Sequence, residues 1–184
     1  MAAQKTPNIQ IEKIGLERVK DLHEAITDSC REWFAEGMLP QAEISLEELE
    51  QATKQFLELW DKDDTYMFNI IDASVDQVVG FAILNHVNRT HQVVNLGYAV
   101  RTSRAGQGIA TEAARLAARY ALERLGFQRV EIIVRQDNPK SLRVAEKTGA
   151  PRRTASKPFT IARRSLRCVH AFSHSIRLWH HLTS

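Results

Sequence analysis

The sequence predicts one mixed α/β domain built on a twisted, mostly antiparallel sheet, with one parallel pair of strands and helices on both faces. Three observations lead to this prediction. Three strand-like segments with short polar turns span residues 65–100, a helix-strand-helix series follows them, and neither repeat nor linker divides the 184 residues. Short turns join antiparallel neighbours, whereas a helical crossover returns the chain to a parallel neighbour. A chain of this length can bury a single sizeable core.

The first elements are an isolated strand and two helices. Residues 9–14 alternate apolar and polar side chains, and residues 16–34 carry apolar residues at helical spacing. Ser45 and Glu48 form a capping-box pattern, in which the hydroxyl and the carboxylate bond amides at a helix start. This pattern predicts a second helix that runs to about Trp60.

The remaining elements supply the sheet and its crossover. Segments rich in β-branched and aromatic residues predict three strands, at residues 65–71, 77–86 and 91–100. Helical spacing over residues 108–125 ends before Gly126, which is typical of a helix C-terminus. A further strand is predicted at residues 129–134. A last helix is predicted at residues 138–147, closed by Gly149.

Composition and charge exclude several classes of protein. With 43% hydrophobic and 26% charged residues, the chain has the composition of a soluble globular protein. Residues 1–150 hold 18 Lys+Arg against 22 Asp+Glu, a net −4, whereas residues 151–184 hold 7 against none, a net +7. The basicity therefore belongs to the tail, and nucleic acid is not an expected partner of the core. Because neither a secretory signal nor a membrane-length apolar run is present, we expect a cytoplasmic protein with no membrane partner.

A glycine-bearing turn between the third of these strands and the following helix indicates a phosphate-binding loop. Backbone amides at a helix start converge on one point, and glycines such as Gly106 and Gly108 let the main chain approach an anion closely. The same spacing also fits a turn whose glycines serve backbone geometry alone. The dinucleotide fingerprint has a third glycine where Thr111 stands, and Ile109 and Ala110 replace the Lys and Ser/Thr of a nucleoside-triphosphate loop. Both of those ligand classes are disfavoured.

Two motifs carry a resemblance to the GNAT superfamily of acetyltransferases over residues 9–150. The run Gly106-Gln107-Gly108-Ile109-Ala110 resembles the family's pyrophosphate loop, although the Gln/Arg of that motif falls on Ala105 and Arg104 stands one residue early. The run Asp137-Asn138-Pro139-Lys140-Ser141 is similar to the family's Asn-x-x-Ser segment. Within the superfamily, Asn95-Leu96-Gly97-Tyr98 resembles the ribosomal-protein N-terminal acetyltransferases of the RimJ and RimL type.

The resemblance implies a GNAT-like fold whose parallel pair opens as the CoA cleft, and transfer of an acetyl group from acetyl-CoA to a primary amine without a metal. The acceptor implied is the N-terminal α-amine of a protein or peptide. A small-amine or antibiotic acetyltransferase, and a CoA-binding or RNA-contacting module without turnover, remain alternatives. The cofactor-binding residues implied are Tyr98, Ala99, Val100, Arg101, Arg104, Ala105, Gly106, Gln107, Gly108, Ile109, Ala110, Asn138 and Ser141.

Individual roles follow from the same resemblance. Amides of residues 106–110 would hold the pyrophosphate, main-chain groups of residues 98–100 would pair with the pantetheine arm, and Asn138 and Ser141 would face its sulfur. Ser141 is the candidate proton donor to the leaving thiolate, with cofactor binding or capping as the alternative. Arg101 and Arg104 are either phosphate partners or solvated loop cations. The base that deprotonates the amine is not assigned, the options being a water chain or a carboxylate such as Glu24, Glu36 or Glu43.

Residues 151–184 depart from the family pattern. They contain no acid and lack the Glu-Gly and His-Asp landmarks of the family's last two strands. Reading one base later from the Ala150 codon permits a sequence similar to those strands, so a shifted reading frame is one interpretation. A basic tail for nucleic-acid or ribosome contact is the other. At most a short edge strand is expected, around residues 159–161 or 168–176, with dimerisation through the open sheet edge.

Overall fold

The structure, a computed structural model, describes residues 8–35, 39, 43–135 and 137–149, and the backbone of residues 159–162. In chain order the elements are β1 (Ile9–Lys13), α1 (Val19–Thr27), α2 (Cys30–Ala35), α3 (Leu46–Asp61), β2 (Tyr66–Asp72), β3 (Gln77–Asn88), β4 (Val93–Val100), α4 (Ile109–Glu123), β5 (Arg129–Ile132), α5 (Pro139–Lys147) and β6 (Phe159–Ala162). Short 3₁₀ turns at Leu16–Arg18 and Thr102–Arg104 precede α1 and follow β4.

The strands form one six-stranded sheet in the order β1-β2-β3-β4-β5-β6. Neighbouring strands are antiparallel except β4 and β5, which are parallel and are connected through α4. The predicted mixed sheet with one parallel pair is therefore confirmed. Among the described residues, no helix has both the length and the apolar character that crossing a membrane requires.

Helices cover both faces of the sheet, as predicted. Alternate residues of β2 point to opposite faces: Phe68 belongs to the cluster that packs on α4, and Met67 to the cluster that packs on α1 and α3. The α4 face of the sheet meets a stripe of small side chains, because α4 buries Ala113, Ala114, Ala117, Ala118 and Ala121. Small side chains allow the helix axis to lie close to the sheet, which places the start of α4 beside the end of β4.

One predicted helix is wrong in its continuity. The apolar spacing over residues 16–34 indicated a single helix, but the chain turns at Asp28 and Ser29 and divides it into α1 and α2. Both residues bond the segment after β4: Asp28 accepts from the Ser103 hydroxyl, and Ser29 Oγ accepts from the Thr102 amide. Short polar side chains that bond elsewhere compete with helix continuation. Periodicity alone gives no sign of these distant partners.

The strand β6 pairs antiparallel with β5, with Glu131 facing Thr160 in the register. It includes residues 159–161, one of the two stretches at which a short edge strand was expected, and the other stretch lies outside the described residues. Residues 150–158 and 163–184 lie outside the described part of the chain. A boundary at residue 150, the shifted frame and the basic tail therefore stay predictions.

The capping box predicted at α3 is present. The Ser45 hydroxyl accepts from the Glu48 amide at 3.2 Å, and Glu48 Oε2 accepts from the Ser45 amide at 2.7 Å. Replacement Ser45→Ala should therefore lower the free energy of unfolding by about 1 kcal/mol. Ser45→Asn, which keeps a capping oxygen, should lose much less. Urea denaturation of the wild-type protein and the two variants measures the free energy of unfolding. Equal losses in both variants would contradict the capping role of Ser45.

Candidate active site

The turn between β4 and α4 presents main-chain amides to open space. Gly106 and Gly108 have φ angles of 79° and 83°, in the left-handed region that glycine adopts without steric cost. A Cβ atom added at either position would meet no atom within 4 Å, so the backbone conformation, and not crowding, requires glycine. Gly108 is the N-cap of α4 and supplies no side-chain bond to the first turn. The free amides and the helix dipole therefore suit an anion such as a diphosphate.

A cleft opens beside this turn, where β4 and β5 part. The parallel register pairs residues 93–95 of β4 with residues 129–131 of β5. Beyond Asn95, β4 continues to Val100 with one edge bonded to β3, whereas within the described residues no strand pairs with its other edge. Main-chain groups of residues 96–100 on that edge can therefore bond an extended ligand as a further strand would. These include Tyr98, Ala99 and Val100, predicted for the pantetheine arm.

The first turn of α5 forms the opposite side of the cleft. Asn138 caps α5, because its Oδ1 accepts from the Ser141 amide at 3.0 Å, and Pro139 occupies the first helical position. The Tyr98 hydroxyl donates to the Ser141 carbonyl at 3.4 Å. The structure thus brings Tyr98, Asn138 and Ser141 together at the cleft, with the Ser141 side chain half-buried.

The segment that precedes the glycines is tied to the turn between α1 and α2. Arg101 Nε lies 3.2 Å from Asp28 Oδ2, and the Ser103 hydroxyl donates to the same oxygen at 2.8 Å. The Thr102 amide donates to Ser29 Oγ at 2.6 Å. The bond from Ser103 and the Arg101 guanidinium hold the pKa of Asp28 below its ordinary value, so this carboxylate stays charged at neutral pH.

The second loop arginine is also paired with a carboxylate. Arg104 forms an ion pair with buried Asp72 at the end of β2, and its Nε donates to Gln107 Oε1 at 3.2 Å. The Ser74 hydroxyl donates to Asp72 at 2.6 Å, and this bond together with Arg104 lowers the pKa of the Asp72 carboxyl. Sequence reasoning missed both acids, Asp28 and Asp72, because spacing gives no signal for partners 73 and 32 residues away. Phosphate contacts by the two arginines stay a prediction.

Two surface clefts flank these elements. One, of about 260 Å³, lies at the start of α5 and is lined by Ala35, Arg135, Asp137, Asn138, Pro139 and Lys140. There Arg135 Nη2 lies 2.7 Å from Asp137 Oδ2, which lowers the pKa of Asp137. The other, of about 420 Å³, lies at the phosphate-loop end and is lined by Asp21, Glu24, Val75, Asp76, Gln77 and Arg104.

The three carboxylates considered as a base are not brought together. Glu24 lines the cleft at the phosphate-loop end, whereas Glu43 is exposed before α3. Glu36 lies outside the described residues. Among the described residues, no group of three His, Cys, Asp or Glu side chains is placed to hold a metal ion.

The glycine conformations allow a matched test of the phosphate loop. Gly126, at the other end of α4, also has a left-handed φ of 76° and open space at its Cβ position. Gly108→Glu and Gly126→Glu should therefore cost similar stability, about 1–2 kcal/mol each. Acetyl-CoA should raise the melting temperature of the Gly126 variant but not of the Gly108 variant, whose carboxylate repels the diphosphate. The melting temperature of each variant is measured with and without acetyl-CoA. If acetyl-CoA still raises the melting temperature of Gly108→Glu, the pyrophosphate site lies elsewhere.

Solved structures share this fold. The ribosomal-protein-S5-alanine acetyltransferase from Vibrio fischeri superposes with a TM-score of 0.71 at 14% identity, covering 86% of this chain and 94% of that one. Spermidine N-acetyltransferase from Vibrio cholerae, solved with CoA and spermine, superposes with a TM-score of 0.68 at 15% identity, covering 86% and 97%. At these identities the likeness concerns the fold.

Sequence comparison identifies the family. The Bacillus subtilis (strain 168) protein named probable N-acetyltransferase YjcK is 33% identical over 122 residues, which cover 65% of this chain and 67% of that protein. The model of the acetyltransferase (GNAT) domain matches residues 10–151, a range that contains the phosphate loop, the cleft and α5. The chain therefore belongs to the GNAT family and is an acetyl-CoA-dependent N-acetyltransferase.

Proposed function

We propose that this enzyme acetylates the N-terminal α-amine of a protein or peptide. The observation that carries the proposal is the charge of the cleft beside α5. Its described lining has two cations, Arg135 and Lys140, and one acid, Asp137, which is already paired with Arg135. A polyamine acceptor requires a net acidic site, whereas a peptide whose single amine is followed by neutral or acidic residues fits this lining. A cytoplasmic location, as expected from the sequence, is part of the proposal.

The alternative acceptor is a small amine. It is supported by the shared fold with the spermidine enzyme and by the carboxylates of the cleft at the phosphate-loop end. Two of those carboxylates are already engaged, however, because Arg18 lies 3.2 Å from Asp21 and 2.5 Å from Asp76. The S5-alanine enzyme shares the fold to a similar degree, so the shared fold does not separate the two classes of acceptor.

On the cofactor side, the proposal assigns the amides of residues 106–110 to the pyrophosphate and the free edge of residues 98–100 to the pantetheine arm. The left-handed glycines and the unpaired strand edge support these assignments. Asn138 and Ser141 are assigned to the sulfur end, supported by their position at the first turn of α5.

An acceptor screen tests the proposed function. Peptides that begin with Ser or Ala, followed by neutral, acidic or basic residues, are compared with spermidine, and release of the CoA thiol is measured. We expect kcat/KM for the neutral or acidic peptides to exceed that for spermidine by about tenfold or more, about 1.4 kcal/mol in transition-state binding. Peptides with a blocked N-terminus and an internal Lys are the control. Preference for spermidine, or for the Lys side chain, would refute the proposed acceptor.

Removal of the Ser141 hydroxyl tests the proposed proton donor. If this hydroxyl protonates the leaving thiolate, Ser141→Ala should lower kcat about 10²-fold while the Kd of acetyl-CoA stays within about twofold. Ser45→Ala, the same chemical change at the cap of α3, should leave kcat unchanged. Steady-state kinetics and a binding titration separate the two effects. A weaker Kd with an unchanged kcat would make Ser141 a cofactor ligand only.

A further inference from the structure

A carboxylate at the apex of the cleft has no role so far. Glu131 lies in β5 and faces Asn95 of β4 at the last paired position before the two strands part. Residues that face each other in a sheet project their side chains from the same surface. Glu131 and Asn95 therefore lie side by side where the cleft closes.

Alternation along β5 shows which surface this is. Val130 and Ile132 belong to the core cluster that packs on α4, so Glu131 projects from the opposite surface, the one that α1 and α3 cover beside β2 and β3. Ser141 belongs to α5, which packs on α4 through the first of these clusters. The carboxylate and the serine therefore lie on opposite faces of the sheet, with the serine beside Tyr98 further along β4.

Glu131 is a largely buried carboxylate. Its side chain is only 17% exposed, and burial raises its pKa above the ordinary glutamate value. Arg129 on the same strand is its charged partner, with Nε 3.1 Å from Glu131 Oε1. This positive charge partly counteracts the rise in the pKa of Glu131. The residues that face Glu131 in the register of the sheet, Asn95 of β4 and Thr160 of β6, are uncharged types.

Asn95 supplies an independent observation at the same position. It is buried, and its Nδ2 donates to Asn85 Oδ1 at 2.8 Å. Its own Oδ1 is buried and has no hydrogen-bond partner among the described residues. An orphaned buried acceptor is costly unless a ligand satisfies it. A carboxylate beside an unsatisfied amide oxygen matches the N–H donors of an ammonium group.

We propose that Glu131 is the catalytic base that accepts a proton from the acceptor ammonium, with Asn95 Oδ1 accepting a second N–H. The freed amine attacks the thioester carbon, so that a C–N bond forms and the C–S bond breaks. The thiolate takes one proton from Ser141 or from water. After the attack, the nitrogen releases a second proton to water. If Ser141 has donated its proton to the thiolate, water returns a proton to the serine. The proton on Glu131 returns to solvent, so one proton is released per turnover. The proposal needs an amine acceptor of either class and does not depend on which is used.

The test replaces the carboxylate by its isosteric amide. With the best acceptor found for the wild-type enzyme, Glu131→Gln should lower kcat/KM at pH 7 about 10²-fold, while the Kd of acetyl-CoA changes less than about twofold. The loss should shrink as pH rises, because solvent then deprotonates the amine. Glu123→Gln, an exposed change at the end of α4, is the matched control and should retain wild-type kinetics. Wild-type kcat/KM and pH profile in Glu131→Gln would overturn the assignment.

A second measurement is independent of turnover. Carbon-13 NMR titration of the glutamate carboxyls, with Glu131→Gln identifying the signal, gives the pKa of Glu131 in the acetyl-CoA complex. The expected value lies above the ordinary glutamate range. Arg129→Gln should raise it further, because the opposing charge is lost. A pKa of Glu131 at or below the ordinary range overturns the proposal whatever the acceptor proves to be. Absence of transfer to any amine by the wild-type enzyme would instead refute the proposed function.

Discussion

Parallel pairing between β4 and β5 stops after three residue pairs, while β4 runs on for five more residues. A free strand edge inside a protein is ordinarily avoided, because its amides and carbonyls lack partners. In this fold the unpaired edge borders the candidate cofactor cleft, and the other elements of the candidate site are arranged around it. The phosphate loop follows its open end, α5 forms one side, and Glu131 stands at its apex.

Close packing of α4 maintains that arrangement. The alanines buried along α4 bring the helix against the sheet, so its first turn meets the end of β4 without a long connection. Gly80 likewise allows β3 to approach β4 closely, because a Cβ atom at this position would lie 2.0 Å from the Ala99 carbonyl oxygen. Small residues thus place β3, β4 and α4 at a spacing that larger side chains would prevent.

Local signals in the sequence predicted most of the fold and the outline of the site. The Ser45 capping box, the glycines that flank α4 and the alternation of the strands act through neighbouring residues, so they can be identified without a structure. The division of α1 from α2, the pairing of Arg104 with Asp72 and the position of Glu131 could not be predicted. Each depends on partners brought together by the register of the sheet, and register is a property of the whole fold.

The bonds that Asp28 and Ser29 accept from Ser103 and Thr102 tie the turn between α1 and α2 to the segment that precedes the glycine loop. The same turn begins α2, and α2 ends at Ala35 in the wall of the cleft beside α5. A ligand that orders the loop would therefore also act on α2 and on the cleft beside α5. Thermodynamic reciprocity then requires a ligand at the loop and a ligand in that cleft to change each other's affinity to the same extent. This coupling is equal in both directions, so it would be the same whichever of the two ligands binds first.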